Sequence, residues 1–588
     1  MPGSLTSTRI WRRSSVVPTS VACLAVVVAS SATAGAATGG PKPATASAPS
    51  PVGSATTSSF VAPPTGEGDL DGARRHGEGF HAEIYHWTVE TGPSRATACS
   101  VLGELFVPDS ASATSPVPAI LTTNGFSGSY TDQVPLAECA ARNGYVVLTY
   151  SGLGFGGSGC NIELDNPTWD GEAASQLISY LGDEPDVLSD GPDDPRVGMV
   201  GGSYGGEVQF AAAAIDPRID AIVPVITWND LAYSLAPNND TPASAWAKSP
   251  PGVLKWEWAA LFFGDGLSEP FENPTATPFP PATCPGFDPA ICQAFLKSVA
   301  AGYPTPDVVS MLASDSIVSY YKKIHVPVTL MQGEDDSLFN IDEAVENMRL
   351  LQSVGDPVKL VLQSWGHSDL TPAPGEVSYT STAHGYETLL ILDWFAKYLK
   401  GENVSTGPAV EYFRPWVTYN ANGSAEPAYG TASSWPVGST VNLYLSGNGS
   451  LVSDRDDAVA GSEQIVNPPD GEPASYSETS GVQDMSPFST IPPTDPAGTF
   501  ASFTTPPIPH SIDSVGIPQL RVDLSAVDSS SASPLTEATV YTKIYDVAPN
   551  GTATLVNRIV SPARIAKSGW VTLTLPGVVT PPAIGSSS

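Results

Sequence analysis

Met199-Val200-Gly201-Gly202-Ser203-Tyr204-Gly205-Gly206 is the stretch on which the reading of this chain turns. An apolar run leads into it, a G-x-S-x-G crosses it, and a helix-compatible stretch, residues 207–215, follows. A strand that runs straight into a helix through such a sequence is the context of a nucleophile elbow. The serine sits there on a sharp, strained turn, and the flanking glycines are needed because a Cβ would collide with the neighbouring strand and helix. The same turn aims the Tyr204 N–H at the position where an oxyanion would form. In a chain with 54 glycines, a bare G-x-S-x-G says little, and the strand in front of it supplies the weight. The competing reading is a Gly-rich turn that happens to carry a surface serine.

A serine hydroxyl is a poor nucleophile until a histidine takes its proton and a carboxylate fixes the imidazole tautomer. With the elbow first, the expected order is Ser, acid, His. The chain has seven histidines, and two follow the acid region within residues 72–401: His367, in Ser364-Trp365-Gly366-His367-Ser368 just past an apolar run, and His384, just before the last helix. His367 is the expected base. The acid is expected in Gly333-Glu334-Asp335-Asp336-Ser337-Leu338-Phe339, again just past an apolar run. Its spacing selects Asp336, with Glu334 and Asp335 as solvent-exposed neighbours; an acidic surface turn is the alternative. For the oxyanion hole the expected donors are the Tyr204 N–H and the Phe126 N–H, in Asn124-Gly125-Phe126-Ser127-Gly128, with the Tyr130 hydroxyl as an alternative. Activity should fall on acidification, as the base becomes protonated.

Around these motifs, residues 72–401 alternate short apolar runs with helical stretches, the pattern of a mostly parallel sheet covered by helices. Strands are predicted at 117–123, 145–150, 197–200, 221–226, 328–332 and 358–363, and a closing helix at 386–400. Between about 228 and 322 this rhythm gives way to an aromatic, proline-rich insertion containing Trp256, Trp258, Phe262, Phe263 and Phe279, which reads as a cap over the site. Gly152-Leu153-Gly154-Phe155-Gly156-Gly157-Ser158-Gly159 looks like a nucleotide-binding run, but no helix is predicted after it, so nucleotide binding is rejected. Beyond 401 the helical periodicity stops. Short alternating runs at 440–445, 520–524 and 539–545, rich in turn residues, predict an all-β sandwich over 402–588, with 453–502 as a long loop or short edge strands. The end, from Val578, is low in complexity where a further strand or two is expected.

The N-terminus reads as an export signal, residues 1–36: Arg9, Arg12 and Arg13, then an apolar run over 21–29, then cleavage sites after Ala34 or Ala36. About ten apolar residues fall short of the ~20 that span a bilayer, so no membrane span is expected once the signal is removed. Residues 37–71 are Pro-, Ala-, Ser- and Thr-rich and read as a disordered linker or cell-wall spacer. A net charge of −34 argues against nucleic acid or anionic membrane as a partner. Of six cysteines, Cys23 lies in the signal, leaving Cys99, Cys139, Cys160, Cys284 and Cys292, an odd set. Cys284 to Cys292 is the preferred pair and Cys139 to Cys160 the second, since export permits disulfides. No Cys or His pair has zinc-site spacing, so no metal is expected.

Taken together, Gly201-Gly202-Ser203-Tyr204-Gly205-Gly206, the cap insertion and the C-terminal β-region resemble the X-Pro dipeptidyl-peptidase and cocaine-esterase family of α/β-hydrolase serine hydrolases. Phe503-Thr504-Thr505-Pro506-Pro507, Gly516-Ile517-Pro518 and Tyr545-Asp546-Val547-Ala548-Pro549-Asn550-Gly551 extend the likeness into that family's jelly-roll domain. The resemblance implies Ser203, Asp336 and His367 as a triad, no cofactor, and hydrolysis of X-Pro dipeptides from peptide N-termini or of acyl esters and amides. It departs from the family at Asn124-Gly125-Phe126, where a tyrosine-bearing stretch is usual. A dipeptidyl-peptidase also needs an acid for the substrate's amino terminus, and Asp230, Asp240, Glu257 and Asp265 are the cap's candidates. A glycan- or cell-wall-binding protein with a vestigial hydrolase domain is the reading from another class; the sequence leaves the oligomeric state open.

Overall fold

The computed structural model describes residues 23–31, 66–68, 75–238, 252–272, 284–466, 495–508, 513–527, 538–558, 560–565 and 568–580. The proposed cleavage sites and most of the linker lie outside these residues, as do Asp240 and Phe279.

A large mixed sheet organises the first part of the chain. Its strands are β1 (Phe80–Thr91), β2 (Thr97–Pro108), β3 (Ala119–Thr123), β4 (Val146–Tyr150), β5 (Val197–Gly202), β6 (Ile219–Val225), β7 (Val328–Gly333), β8 (Val358–Gln363), β9 (Val410–Phe413) and β10 (Tyr429–Ala432). They lie in the order β1-β2-β4-β3-β5-β6-β7-β8-β9-β10. β1 and β2 pair antiparallel over twelve residues each, β2 meets β4 antiparallel, and every neighbour from β4 to β9 is parallel. That order, with its single exchange of β3 and β4, is the α/β-hydrolase arrangement. The central strands are mostly apolar and buried along nearly their whole length because both faces are covered. Along β3, Ala119 and Leu121 enter one buried cluster and Ile120 enters the other. Helices α1 (Val134–Arg142), α2 (Glu172–Asp183) and α3 (Tyr204–Ala213) follow β3, β4 and β5.

Three features differ from the sequence reading. The hairpin β1–β2 was not foreseen, because its burial does not alternate cleanly: Phe80 and Ala82 face inward, then Trp87, Val89 and Thr91. The sheet does not close at Gly401, since β9 and β10 extend it to Ala432 after the last helix. The cysteines pair as Cys99–Cys160 and Cys284–Cys292, leaving Cys139 free and buried. Cys139 belongs to the inward face of α1 among Leu136, Ala137, Ala140 and Ala141, so it packs as a small apolar residue, away from Cys160.

Between β6 and β7 the chain makes a helical insertion: α4 (Leu231–Leu235), α5 (Trp256–Glu272), α6 (Pro289–Ala301) and α7 (Pro306–Ser314). It shares a buried cluster with the sheet's loops, joining Trp258, Phe287, Val308 and Leu312 to Phe155, Tyr204, Trp228, Leu338 and Phe339. α8 (Ile341–Val354) and α9 (Tyr386–Tyr398) complete the layer structure.

The C-terminal region is β-rich. Gln519–Leu524 pairs with Gly569–Thr574, and Ala538–Val547 pairs with Ala553–Leu555 and Ser561–Ile565. Leu520, Val522 and Leu573 from the first pair pack on Val540, Ala563 and Ile565 from the second, so two sheets bury one another's faces. Val578–Thr580 is a strand against Ser514–Gly516. The predicted run 440–445 contributes only Tyr444–Leu445. Cys23–Ser31, read as the apolar part of an export signal, is a strand between Phe500–Thr504 and Ala538–Val547.

Candidate active site

β5 delivers Ser203 at its C-terminal end, and α3 begins at the next residue. Ser203 has φ +58° and ψ −118°, a conformation that costs on the order of 1–3 kcal/mol and persists only where its surroundings enforce it. The enforcement is steric. A Cβ on Gly205 would lie 2.5 Å from the Thr123 carbonyl oxygen, and one on Gly201 would lie 2.7 Å from that of Gly205. Ser203 N–H donates to Val225 O at 2.8 Å. Gln209, a buried amide the sequence reading did not single out, ties the turn from below. Its Nε2 donates to the Gly205, Gly201 and Val223 carbonyls at 2.9, 3.2 and 3.3 Å, and its Oε1 accepts from Val223 N–H at 3.1 Å. A polar residue between Val208 and Phe210, just ahead of an alanine run, was the available signal.

The loops after β7 and β8 bring Asp336 and His367 to this serine. His367 Nε2 lies 2.8 Å from Ser203 Oγ, and His367 Nδ1 lies 2.7 Å from Asp336 Oδ2. Asp336 is fully buried. Its Oδ1 accepts from the Leu338 and Phe339 N–H groups at 3.0 and 2.9 Å, and its Oδ2 also accepts from the His367 backbone N–H at 3.0 Å. The loops are further joined by Ser337 and Ser368, whose hydroxyls lie 2.6 Å apart. Gly366 is required here, because a Cβ would fall 2.7 Å from Asp336 Oδ2 and 2.8 Å from its Cβ. The edges of Phe339 and Trp258 meet the imidazole, with ring centroids 5.0 and 6.3 Å away. Lys255 Nζ donates to the carbonyls of Ser337 and Leu338 at 2.7 and 2.9 Å, so the insertion also grips the acid turn.

The other expected residues divide. His384 is exposed and takes no part. Glu334 is buried rather than solvent-exposed, and Asp335 bonds Asn557 of the C-terminal region at 2.7 Å. The Asn124–Gly128 loop passes the nucleophile closely: a Cβ on Gly125 would lie 3.6 Å from Ser203 Cβ. The Phe126 ring packs edge-on against Phe155, Tyr204 and Phe262. Tyr130 N–H donates to Ser151 Oγ at 3.0 Å, and burial, then the charge of Glu104, pushes its hydroxyl up. The Gly152–Gly159 run is a turn-rich loop with positive φ at Gly154, Gly156 and Gly157 and no helix starting from it. Of the cap acids, Asp230 is buried and caps α4 through Ala232 N–H at 3.0 Å, while Glu257 and Asp265 are half-buried on α5.

Behind Tyr204 lies a group of buried carboxyls. The Tyr204 hydroxyl accepts from Asp165 N–H at 3.0 Å. Burial, reinforced by mutual repulsion, pushes Asp165 and Glu207 well above the carboxylate range, Asp170 up to about 8 and Glu163 up to about 9. Burial raises Asp315 to about 7. Both Asp165 oxygens are buried without a hydrogen-bond partner. Among the described residues no cluster of three or more His, Cys, Asp or Glu is arranged to hold a metal, and no helix is long and apolar enough to cross a membrane.

Residues 101–247 match the family model described as X-Pro dipeptidyl-peptidase (S15 family), in keeping with the resemblance read from the sequence. No curated protein matches the sequence. Among solved structures, acetyl xylan esterase 1 from a Thermoanaerobacterium species is similar at 16% identity, over 52% of this chain and 83% of that one, with a TM-score of 0.34. Pyrococcus horikoshii acylaminoacyl peptidase is similar at 16% identity over 55% and 43%, TM-score 0.35. A Pyrococcus furiosus esterase is similar at 14% identity over 54% and 91%, TM-score 0.33.

Proposed function

We propose that this serine hydrolase, matched over residues 101–247 by the S15 family model, is exported and cleaves X-Pro dipeptides from peptide N-termini through an acyl-enzyme on Ser203. The observation that carries the chemistry is the continuous relay from Ser203 Oγ through His367 to Asp336, at 2.8 and 2.7 Å. Ser203 Oγ attacks the substrate carbonyl carbon while its proton passes to His367 Nε2, and Asp336 holds the imidazole with Nδ1–H directed at Oδ2. The tetrahedral oxyanion is held by the Tyr204 N–H and, on this reading, the Phe126 N–H. Collapse breaks the acyl bond, and the leaving group takes the proton from Nε2. A water then attacks the ester on Ser203 as His367 takes its proton, and collapse breaks the acyl–Oγ bond while Nε2 returns that proton to Ser203 Oγ, releasing the acid and restoring the free enzyme.

A second reading, an acyl esterase, is favoured by the surroundings. Phe126, Trp258, Phe262 and Phe339 make an aromatic enclosure, and Asp230, one candidate for holding an amino terminus, is engaged as a helix cap. The C-terminal region fits a jelly-roll sandwich on either reading. A binding protein with a vestigial hydrolase is disfavoured by the assembled relay.

The test compares a Gly-Pro or Ala-Pro chromogenic amide with a short acyl ester, using Ser203→Ala as control. Amide cleavage that disappears in Ser203→Ala supports the dipeptidyl-peptidase, cleavage of the ester alone supports the esterase, and turnover retained in Ser203→Ala refutes the mechanism. Recovery of the protein outside the cell, starting after Ala34 or Ala36, would support export; an intact N-terminus inside the cell would refute it.

A further inference from the structure

We propose that Glu376, Glu387 and Tyr429 are positioning residues for the hydrolysis, fixing together the loop that carries His367. The proposal rests on His367 being the base of the reaction.

The loop leaves β8 at Gln363 and returns at Glu376, with His367 near its start. Glu376 closes it. Its Oε1 accepts from Ser364 N–H at 3.0 Å and from the Tyr429 hydroxyl at 2.8 Å, and its Oε2 accepts from Ala373 N–H at 2.7 Å and from Ser364 Oγ. Four donors converge on two oxygens, which is the full complement of an ionised carboxylate. Glu387, at the start of α9, sits alongside. Its Oε2 and Oε1 lie 2.9 and 3.1 Å from Trp365 Nε1, its Oε1 lies 3.2 Å from the Tyr429 hydroxyl, and its backbone N–H donates to Glu376 O at 2.8 Å. Glu376, Glu387 and Tyr429 are buried, and the hydrogen bonds of the two carboxyls come from no lysine, arginine or histidine; the neighbouring cation, Arg414, donates instead to the Tyr429 backbone carbonyl at 3.0 Å.

Two adjacent buried carboxyls with no cation bonded to either do not both ionise. The donor count assigns the proton. Tyr429 has one hydroxyl hydrogen and gives it to the nearer oxygen, on Glu376, so its lone pair faces Glu387, which must then be the carboxylic acid. Burial and the neighbouring Glu376 push Glu387 upward in the same sense. The other ionisable groups facing the pair are Glu334, also buried and pushed up, with Tyr379 and Tyr419. None of them supplies a positive charge.

The unit bears on chemistry through Ser364 and Trp365. Trp365 O packs so tightly on Gly333 that a Cβ there would lie 2.4 Å away, and Gly366, the next residue, rests on Asp336. A shift at Ser364 or Trp365 is therefore passed to the His367–Asp336 contact, and a misplacement near 1 Å costs roughly 100-fold in rate.

The experiment measures kcat and KM on the substrate identified above, with active enzyme counted by titration of Ser203 with an organophosphate. Glu376→Gln sets an amide N–H₂ against existing donors; kcat is expected to fall roughly 100-fold with KM nearly unchanged. Glu387→Gln keeps a neutral group with a donor and is expected to retain kcat within about threefold, whereas Glu387→Ala loses it, the amide thus rescuing what alanine removes. If Glu376→Gln does not fold, Tyr429→Phe decides, with an expected fall of about tenfold for the lost donor. Wild-type kcat in Glu376→Gln or Tyr429→Phe, or an equal loss in Glu387→Gln and Glu387→Ala, would overturn the proposal. Turnover or organophosphate labelling retained in Ser203→Ala would instead overturn the mechanism on which it rests.

Discussion

Replacing Asp336 by asparagine is the perturbation whose consequence the geometry defines most narrowly. Oδ1 already accepts from two backbone N–H groups, those of Leu338 and Phe339, so the amide oxygen must occupy that side. The amide nitrogen then takes the place of Oδ2, facing the His367 backbone N–H and Nδ1, now 3.0 and 2.7 Å from Oδ2. A donor pressed against Nδ1 forces the imidazole into the tautomer protonated on Nε2. That nitrogen can no longer accept the Ser203 proton. In the Ser-His-Asp enzymes from which the magnitude is taken, the wrong tautomer lowers kcat by about 10⁴-fold. The loss corresponds to about 5.5 kcal/mol of barrier. The assay is steady-state turnover of a chromogenic ester, with Asp335→Asn as the comparison and circular dichroism to establish folding. Asp335 bonds Asn557 rather than the imidazole, so its amide variant should stay within about tenfold. A folded Asp336→Asn enzyme with kcat within tenfold of wild type, or an equal loss in Asp335→Asn, would refute the reasoning.

Gly366→Ala places a methyl group 2.7 Å from Asp336 Oδ2, and kcat should drop by roughly 100-fold in a folded protein; an unaffected kcat would show that the contact can relax. Breaking Cys99–Cys160, which spans 61 residues, should cost about 4 kcal/mol of stability by loop entropy, against about 2.5 kcal/mol for Cys284–Cys292, which spans eight. Denaturant unfolding of Cys99→Ser and Cys292→Ser reads the two, and a reversed order would count against that account. Asp170 is raised to about 8 and Asp315 to about 7, so the folded state holds protons that the unfolded chain releases near pH 4. Their contribution therefore falls as pH climbs from about 4 and levels off only above the folded values. The melting temperature should decline over that window and decline less in Asp170→Asn; the same slope in both proteins would remove this group as the cause.

Much of the site could be read from residue order because its chemistry is local. Ser203, Asp336 and His367 each lie just beyond the end of an apolar run, and a parallel sheet gathers such ends at one edge. What escaped were relations between distant residues. Cys139 and Cys160 are spaced plausibly for a bridge, but the antiparallel β1–β2 hairpin, whose burial pattern is irregular, carries Cys99 to Cys160 instead. Glu334 reads as one of two solvent-exposed neighbours of Asp336, yet it is buried, where burial and the charges of Asp335 and of Glu376, from a loop separated from it by strand and helix, push its carboxyl up. The domain boundary was set at Gly401 because helical periodicity ends there, whereas β9 and β10 are too short and too close to turns to announce themselves as part of the main sheet.

The bond from Asn557 to Asp335, together with those from Gly577 N–H to Asp342 and Arg564 N–H to Asn238, at 2.7, 2.8 and 2.7 Å, joins the C-terminal strands to the acid turn, α8 and the insertion. The two halves are thereby unsuited to independent shuffling. A graft of another β-region, or a shortened version of this enzyme ending after the large sheet, would inherit a turn whose outer wall has been taken away one residue from Asp336. For anyone seeking a minimal catalyst, that makes the junction, rather than the boundary between folds, the unit to preserve.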